Sequence, residues 1–377
     1  MISDMNVKSC RVKVMHVLLS LEYGGAEKVV VNLANKLQGD NIDFSICVLD
    51  RVGPLEKDLK STIRIDCINR GGKRGKGIDV ITPFKLAKIM RRDSPDVVHL
   101  HNFTCMFYGV IAGKLAGVPR IIFTQHGTAG NKRMMRIILT MLSFFLNKII
   151  AVSRNVYDHL CHVYHMNSKK MDIIVNGIDE NVFKRKKGNV NKEVQLGLHD
   201  EYIIGHVARL SLEKDQKTLL YAFCKVLERM QNIKLIIVGE GPLKKNLENL
   251  SKKLGISNNV IFTGARGDIS SFLEMFDLFV LSSIREGTSL TLLEAMAESI
   301  PVVCTNVGGN PDVVADSKTG ILIPPNDSIK LADAIVFLMK DPELRKKMGQ
   351  NARKRIVEKF SLSKMAEKYR KIYMQSI

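Results

Sequence analysis

The sequence predicts an α/β protein with two doubly wound parallel sheets, and three observations carry that prediction. The chain has 377 residues, which is too long for one ordinary hydrophobic core. Short apolar runs alternate with amphipathic runs in both halves, a pattern typical of parallel β-α-β units. Residues 176–191 are polar and lack apolar periodicity. They predict a linker between two domains.

The apolar runs of the first half predict six strands, separated by helices and glycine-containing turns. The strands are expected at residues 12–19, 44–49, 63–68, 96–101, 121–124 and 149–152, with helices at 26–37 and 83–92. The second half repeats the pattern. Its strands are expected at residues 202–207, 234–238, 260–262, 278–281 and 301–304, followed by a charged amphipathic helical tail from residue 342. In such sheets ligands bind at the carboxyl ends of the strands.

Composition is that of a globular protein, with 45% hydrophobic and 25% charged residues. No stretch reaches the roughly 18 apolar residues needed to span a bilayer. Lys13 and His16 interrupt the only N-terminal run that resembles a signal core. The seven cysteines are scattered and show no C-x-x-C spacing, as expected of buried thiols in a reducing compartment. A cytoplasmic location is therefore expected.

Positive charge is concentrated in the first half of the chain. The net charge is +19, and residues 1–190 carry 30 Lys+Arg against 16 Asp+Glu, or +14. Such a field attracts nucleic acid, anionic lipid or a phosphorylated substrate, although a soluble basic protein is an equally simple interpretation. Nucleic-acid binding is disfavoured because the chain has no Trp, only 6% aromatics and no recognised binding motif. A dinucleotide oxidoreductase is disfavoured because neither half has G-x-G-x-x-G.

The most informative segment is Glu286-Gly-Thr-Ser-Leu-Thr-Leu-Leu-Glu294. Two carboxylates flank a loop-like Gly-Thr-Ser and an apolar helical run that starts near Ser289. The first N–H groups of such a helix are free and favour an anion. One end of this element could then hold a phosphate, a sugar hydroxyl and a ribose hydroxyl together. The alternative is a capped surface helix.

Two cations follow the first strand of the second half, Arg209 and Lys214. A guanidinium and an ammonium at this edge suit a diphosphate leaving group, whereas the alternative is a solvated loop. Gly24 and Gly25 follow the first strand of the chain and would let a ligand approach the backbone, which is a weak signal.

His126 ends the strand at residues 121–124 and could face a cleft, or cap a helix. His99 and His101 alternate along a strand and therefore share a face. They are interpreted as a structural pair because no third metal ligand has convincing spacing. The chain also lacks Asp-x-Asp, the pair that often holds Mg²⁺ or Mn²⁺ against a nucleotide diphosphate. We therefore expect protein cations, with no metal and no cofactor.

Two basic segments leave alternatives open. Residues 133–148 are apolar on nearly all sides and flanked by Lys132, Arg133 and Lys148. They predict either a buried helix or one that lies at a membrane surface. The glycine-rich loop at residues 73–76 is either a solvated charge run or a clamp for an anionic acceptor.

Taken together, these motifs resemble the retaining, nucleotide-sugar-dependent glycosyltransferases of family 4, which have the GT-B fold. The resemblance covers nearly the whole chain. It is specific in the second half and weaker in the first. The motifs that carry it are Gly24-Gly-Ala-Glu27, Pro95-Asp-Val-Val-His-Leu-His101, Ala151-Val-Ser153, Asn176-Gly-Ile-Asp179, Arg209-Leu-Ser-Leu-Glu-Lys214, Val238-Gly-Glu-Gly-Pro242, Glu286 to Ala297, and Gly308-Gly-Asn-Pro-Asp312.

The resemblance implies two Rossmann-like domains that face a cleft. The acceptor-binding domain would span residues 1–183, with 360–377 crossing back onto it, and the nucleotide-sugar domain 190–359. The reaction would move a hexosyl group from a UDP- or GDP-sugar to a hydroxyl, with retention of configuration. The acceptor would be a lipid-linked or cell-surface polysaccharide precursor, with a soluble acceptor as the alternative. Peripheral contact with the anionic inner face of the membrane is a further expectation, and no nucleic acid is expected as a partner.

The resemblance also assigns roles to single residues. Catalysis is expected to involve Glu286, His126, Arg209 and Lys214. Donor binding is expected to involve Gly24, Gly25, Arg209, Lys214, Glu286, Gly287, Thr288, Ser289, Leu290, Glu294 and Arg266. Three positions depart from the family pattern, because serine replaces a common proline at Ser282, and alanine and serine replace common glycines at Ala208 and Ser299. These departures bear on loop geometry and donor choice, which the sequence does not specify.

Overall fold

The computed structural model describes residues 11–69, 79–128, 132–184, 198 and 201–375. The basic loop at residues 73–76 and residues 185–191 of the predicted linker lie outside these ranges. Contacts divide the chain into two compact units, Met1–Asn176 with Leu362–Ile377, and Gly177–Ser361. We refer to them as unit 1 and unit 2.

Unit 1 is a seven-stranded sheet in which every neighbouring pair is parallel, in the order β3-β2-β1-β4-β5-β6-β7. Its strands are β1 Val12–Ser20, β2 Ile42–Arg51, β3 Arg64–Cys67, β4 Val97–His101, β5 Arg120–Gln125, β6 Lys148–Ala151 and β7 Met171–Ile173. Its helices are Gly25–Leu37, Thr82–Asp93, Asn102–Ala116, Arg133–Ser143, Arg154–His162 and Leu362–Met374. The last of these comes from the end of the chain and contacts helix Gly25–Leu37 and β1.

Unit 2 is a six-stranded parallel sheet in the order β10-β9-β8-β11-β12-β13. Its strands are β8 Tyr202–Val207, β9 Ile233–Val238, β10 Val260–Gly264, β11 Leu278–Leu281, β12 Val302–Thr305 and β13 Gly320–Ile323. Its helices are Gln216–Leu227, Lys244–Lys253, Ile269–Met275, Leu290–Ala297, Asn310–Val313, Ser328–Lys340 and Pro342–Lys359.

Both sheets have a point at which the chain reverses direction across the strand order. In unit 1 that point lies between β1 and β4, and in unit 2 between β8 and β11. Ligands of open parallel sheets bind in the crevice that such a reversal leaves at the carboxyl ends of the strands. Each unit also has its own buried apolar cluster of strand and helix side chains. The predicted α/β fold with two doubly wound parallel sheets is confirmed.

Three features differ from the sequence prediction. Strands β7 and β13 were not predicted, because they are only three and four residues long and lie at sheet edges. The helix expected over residues 133–148 ends at Ser143, where Ser143 Oγ donates to the Thr140 carbonyl at 2.6 Å. Phe144 to Leu146 then form a turn whose carbonyls at Phe144 and Leu146 accept hydrogen bonds from Lys170 Nζ. No described helix is long and apolar enough to cross a membrane.

The six described cysteines are free thiols. Cys47, Cys105 and Cys304 are buried. Burial raises the pKa of Cys47 and of Cys304, so both thiols are protonated at neutral pH. These cysteines act as small core residues.

Candidate active site

The candidate site residues of unit 2 follow the carboxyl ends of neighbouring strands. Arg209 and Lys214 follow β8, and Glu286 follows β11, so they stand on the two sides of the reversal point. Lys214 Nζ lies 2.6 Å from Glu286 Oε1, and the same oxygen accepts a 2.6 Å hydrogen bond from Ser283 Oγ. The side chains are 23% and 6% exposed for Lys214 and Glu286. The structure therefore joins two residues predicted as site members from motifs 72 positions apart.

Backbone contacts explain why this pair forms. Ser282 Oγ donates to the carbonyls of Lys214 and Asp215, each at 3.0 Å. The Ile284 N–H donates to the Glu213 carbonyl at 2.8 Å. Proline at position 282 would lack the hydroxyl that makes the first two bonds. The departure from the family pattern at Ser282 thus fastens the β11 loop to the lysine loop.

Buried polar side chains hydrogen-bond to the loop that carries Arg209 and fix its position. Gln216 Nε2 donates to the Arg209 carbonyl at 2.9 Å and lies 3.2 Å from His206 Nε2. His206 Nδ1 lies 2.9 Å from the Val280 carbonyl. Burial lowers the pKa of His206 to about 4, so the ring is neutral at pH 7 and donates to Val280 while it accepts from Gln216. Sequence analysis missed His206 and Gln216.

Glycines of two further motifs support the same loops. Gly239 has φ +146°, and a Cβ there would strike the Ala208 carbonyl. Gly308 has φ +56°, and a Cβ there would strike the backbone of Glu286. Only glycine meets both requirements, a left-handed backbone and no side chain. The Gly239 and Gly308 motifs therefore shape the loops that carry Arg209 and Glu286.

Arg209 remains exposed at this edge. Glu213 lies close to it, and the pKa of that carboxyl is lowered by its own backbone hydrogen bond, by Ser211 and by the positive charges of Arg209 and Arg285. Arg285 precedes Glu286 directly and was also missed from sequence. The edge thus carries two guanidinium groups and one ammonium group beside two carboxylates.

The helix predicted near Ser289 spans Leu290–Ala297. Ser289 is its N-cap and accepts a 3.3 Å hydrogen bond from the Leu292 N–H, so one of the expected free donors is already capped. Glu294 lies inside the helix and is 2% exposed. Gly287, Thr288 and Leu290 are buried as well.

Arg266 forms a two-pronged ion pair with Asp268, with Nε and Nη2 each 2.9 Å from a carboxylate oxygen. Its guanidinium also lies 5.2 Å from the centre of the Phe272 ring. The loop that carries it borders the Gly239 loop, because the Gly239 N–H donates to the Gly264 carbonyl. The structure does not place Arg266 in the Lys214–Glu286 pair, and its expected donor contact stays a prediction.

The candidate residues of unit 1 lie at the carboxyl ends of β1, β4 and β5. Gly24 and Gly25 form the start of helix Gly25–Leu37, as expected from the sequence. The Glu27 carboxylate folds back over this turn, where a Cβ on Gly24 would strike it. Burial raises the pKa of that carboxyl. The helix start is therefore covered by a carboxylate of the same chain.

Three imidazoles form a hydrogen-bonded series in unit 1. His16 Nδ1 lies 2.8 Å from His101 Nε2, and His101 Nδ1 lies 3.0 Å from His126 Nε2. Within the described residues the outer nitrogens, His16 Nε2 and His126 Nδ1, have no hydrogen-bond partner. Because two bonds link three neutral rings, the proton positions must run in one direction along the series. A bond made at His126 Nδ1 would thus fix the tautomers of all three rings.

His99 and His101 share one face, as predicted, with ring centroids 4.2 Å apart. His99 is hydrogen-bonded to Tyr373 at 2.7 Å and to Thr124 at 2.7 Å, so the helix from the chain end completes this cluster. Burial lowers the pKa of His16 to about 3 and of His126 to about 4, and lowers those of His99 and His101 well below the usual value. All four rings are neutral at pH 7.

The nitrogen atoms of His16, His99 and His101 lie within 4.8 Å of one another, which raises the question of a metal site. A Zn²⁺ ion needs lone pairs that converge at about 2.0–2.1 Å. Here His16 and His101 are bonded to each other, and both nitrogens of His99 are bonded to hydroxyl groups. This bonding favours a neutral hydrogen-bonded cluster. The expectation that the protein uses no metal stays a prediction.

Comparison with known proteins identifies the family. Residues 23–182 match the model of Glycosyltransferase Family 4, and residues 190–355 match that of Glycosyl transferases group 1. The N-acetyl-alpha-D-glucosaminyl L-malate synthase of Bacillus anthracis is 30% identical over 305 residues, 78% of each chain. The chain belongs to glycosyltransferase family 4.

Two further relatives of this glycosyltransferase cover almost its whole length. The Escherichia coli UDP-Gal:alpha-D-GlcNAc-diphosphoundecaprenol alpha-1,3-galactosyltransferase is 26% identical over 97% of this chain and 98% of its own. The crystal structure of Anabaena HepE in complex with UDP and glucose superposes with a TM-score of 0.86 at 22% identity, over 97% of this chain and 100% of that one. The expected family, GT-B fold and enzyme class are confirmed. Family membership favours the enzyme over the oxidoreductase and nucleic-acid-binding alternatives.

Proposed function

We propose that this glycosyltransferase moves a hexosyl group from a nucleoside diphosphate sugar to a hydroxyl acceptor, and that unit 2 holds the donor. The single observation that carries the site assignment is the partly buried Lys214–Glu286 pair at the reversal point of the unit 2 sheet. A diphosphate is the ligand that a lysine, an exposed arginine and a helix start suit best.

Each group then has a distinct task. Lys214 and Arg209 bind the diphosphate and stabilise the charge that it gains as the glycosidic bond breaks. Glu286 accepts hydrogen bonds from hydroxyls of the transferred sugar while Ser283 and Lys214 hold its carboxylate in place. Glu294 accepts hydrogen bonds from the ribose. Because this arrangement offers fixed positive groups at the leaving diphosphate, it supports a reaction without a divalent metal ion.

Retention of configuration follows if the acceptor attacks from the side that the diphosphate leaves. The departing oxygen then takes the acceptor proton, and no protein nucleophile is needed. In unit 1, His126 is neutral and has one nitrogen without a described partner. Such a ring suits the uncharged hydroxyls of a sugar. We assign it the transferred sugar or the acceptor.

The proposed acceptor is lipid-linked, and the enzyme would work at the inner face of the membrane. Support comes from the Escherichia coli relative, which is named for a diphosphoundecaprenol-linked substrate, and from the positive charge of the first half. A soluble acceptor is the second candidate, because the Bacillus anthracis relative is named for L-malate.

The test is a panel of UDP- and GDP-sugars, with release of the free nucleoside diphosphate measured in the presence of EDTA. We expect one donor to be turned over. The isosteric Glu294→Gln and Glu286→Gln variants should each lower turnover by about 10–100-fold, because a neutral amide oxygen accepts a weaker hydrogen bond from a hydroxyl than a carboxylate does. Glutamine is chosen because Glu294 is buried and alanine would leave a cavity. Wild-type turnover in both variants, or a strict need for Mn²⁺, would contradict the proposal.

A further inference from the structure

Helix Arg133–Ser143 and the turn after it expose a stripe of apolar side chains. Their exposed fractions are 68% for Met134, 49% for Ile137, 63% for Met141, 70% for Phe144 and 51% for Phe145. The spacing of three or four residues places them on one face. We call these five residues the outer stripe.

The opposite face of the same helix packs against helix Asn102–Ala116 and the unit 1 core. Leu139 and Leu146 are buried in the unit 1 core, and Met135 and Leu142 are partly buried against it. A helix that packs with one face normally shows polar residues on the other. This helix is apolar on both faces. One face is buried, as the buried-helix alternative expects, and the other is exposed. Five exposed large apolar side chains in one stripe mark an interaction surface.

The surroundings of the outer stripe are basic. Between Asp96 and Asp158 the sequence contains seven Lys and Arg residues and no acidic residue. Lys114 Nζ lies 5.4 Å from the centre of the Phe145 ring, and Lys170 Nζ donates to the Phe144 carbonyl at 2.9 Å. Cations thus frame the aromatic end of the stripe.

The other end of the helix is basic where helix stability favours acidic residues. Lys132 is the N-cap, Arg133 and Arg136 lie in the first turn, and the first turn has no acidic side chain. Cations at a helix N-terminus are unfavourable because they oppose the helix macrodipole. These positive charges destabilise the helix and lie beside an exposed apolar stripe. Their position indicates a negatively charged ligand.

We propose that the outer stripe docks on the surface of an anionic membrane, with Lys114, Lys132, Arg133, Arg136 and Lys170 contacting lipid headgroups. An in-plane helix that buries its apolar face among headgroups and rings that face with cations has the required chemistry. This inference rests on the proposed function in one respect, because docking would bring unit 1 to a lipid-linked acceptor.

A second copy of the chain fits the surface less well. In a two-fold dimer the same patch meets itself, so the cations of both copies would be brought together. Like charges that face each other across an interface disfavour binding. A bilayer that contains anionic lipid supplies the opposite charge and an apolar layer at once.

The experiment is flotation of the full chain with phosphatidylcholine vesicles, with and without phosphatidylglycerol, at low and high salt. The test variant is Ile137→Ser/Met141→Ser/Phe144→Ser. The matched control is Ile329→Ser/Phe337→Ser on helix Ser328–Lys340 of unit 2, where both side chains are similarly exposed, at 56% and 57%. Circular dichroism and Tm confirm that both variants fold.

We expect the wild type and the control to float with anionic vesicles at low salt only. The triple variant should bind at least roughly tenfold more weakly. Arg133→Glu/Arg136→Glu should remove the preference for anionic lipid. Flotation of the triple variant at the wild-type level, or no wild-type binding to either vesicle, would overturn the proposal. The proposal would also be overturned by a second pair of results. Light scattering would show a wild-type dimer that the triple substitution dissociates, and the wild type would not bind vesicles.

Nucleoside diphosphate release from the donor, measured without vesicles, separates this proposal from the proposed function. The triple variant should keep wild-type release, because none of its three positions lies in the candidate active site. If the wild type bound vesicles but did not turn over any donor, only the proposed function would be contradicted. If the wild type turned over a donor but did not bind vesicles, only the membrane-docking proposal would be contradicted.

Discussion

The carboxyl edges of the two sheets differ in charge. At the reversal point of unit 2, an ammonium and a carboxylate form a partly buried 2.6 Å pair, with Arg209 exposed at the same edge. At the corresponding edge of unit 1, the imidazoles of His16, His101 and His126 are hydrogen-bonded in series. The imidazole of His99 beside them is hydrogen-bonded to Thr124 and Tyr373. Burial keeps those imidazoles neutral at pH 7.

This difference in charge shows how the same α/β architecture can bind two kinds of ligand group. A charged edge stabilises a diphosphate, whose charge grows during the reaction. A neutral edge offers hydrogen bonds to sugar hydroxyls without attracting the phosphates. Under the proposed function, the charged edge of unit 2 suits the donor diphosphate, and the neutral edge of unit 1 suits uncharged hydroxyls.

The largest expected effect concerns the charged edge. Lys214→Met should lower kcat/KM for the donor by about 10²–10³-fold, or 2.7–4 kcal/mol of barrier, because it removes a positive group at the leaving diphosphate. It should also lower the free energy of unfolding by about 3–5 kcal/mol, since the Glu286 carboxylate would remain buried without its partner. Steady-state kinetics and urea unfolding measure the two effects.

Two further variants make that prediction sharper. Lys214→Met/Glu286→Gln should regain most of the lost stability but none of the activity, because no uncompensated charge remains. Lys217→Met is the matched control, since this nearby exposed lysine lies over the Tyr221 ring and outside the pair. If Lys214→Met and Lys217→Met lost activity equally, the loss would come from the lower net positive charge. That result would contradict a specific role for Lys214 at the charged edge of unit 2.

The next effect concerns the neutral edge. A histidine whose pKa falls from 6.5 to about 3 in His16, or about 4 in His126, is neutral in both folded and unfolded protein above pH 6.5. Below pH 6.5 the unfolded chain binds protons that the folded chain does not. Stability therefore falls as pH drops from 6.5 towards 4, by up to about 1.4 kcal/mol per pH unit for each such histidine.

Calorimetry between pH 7.5 and 4 tests this expectation. Of the described histidines with a lowered pKa, four lie in unit 1 and one, His206, in unit 2. The transition that belongs to unit 1 should thus move furthest to lower Tm. His126→Gln should show a shallower decline because it removes one titrating ring. A Tm that stays constant from pH 7 to 5 would refute the neutral cluster.

The sequence predicted the strands that carry continuous apolar runs, since burial on both faces leaves a strong pattern. It also led to the prediction that Lys214 and Glu286 belong to one site. It could not predict that they pair, because the contact depends on the adjacency of β8 and β11. Their partners Ser282 and Ser283 act through hydroxyls, whose direction no motif reveals.

The histidine series shows the same limit in unit 1. His16 stands out in the sequence only as a polar residue in an apolar strand. Its pairing with His101 requires the parallel register that aligns His16 with His99 across β1 and β4. Tyr373 joins the cluster from 274 positions away, which periodicity cannot indicate. The sequence contained one indication of this cluster, namely a histidine in an apolar strand together with a His-x-His strand elsewhere in the same sheet.

Hydrogen–deuterium exchange with and without UDP in EDTA is the decisive test of whether the diphosphate binds at the reversal point of unit 2. We expect UDP to slow exchange in residues 209–216 and 283–294, and Lys214→Met to abolish most of that protection. Protection confined to unit 1 or to the amino edge of the unit 2 sheet would contradict the claim. So would protection that appears only after Mn²⁺ is added.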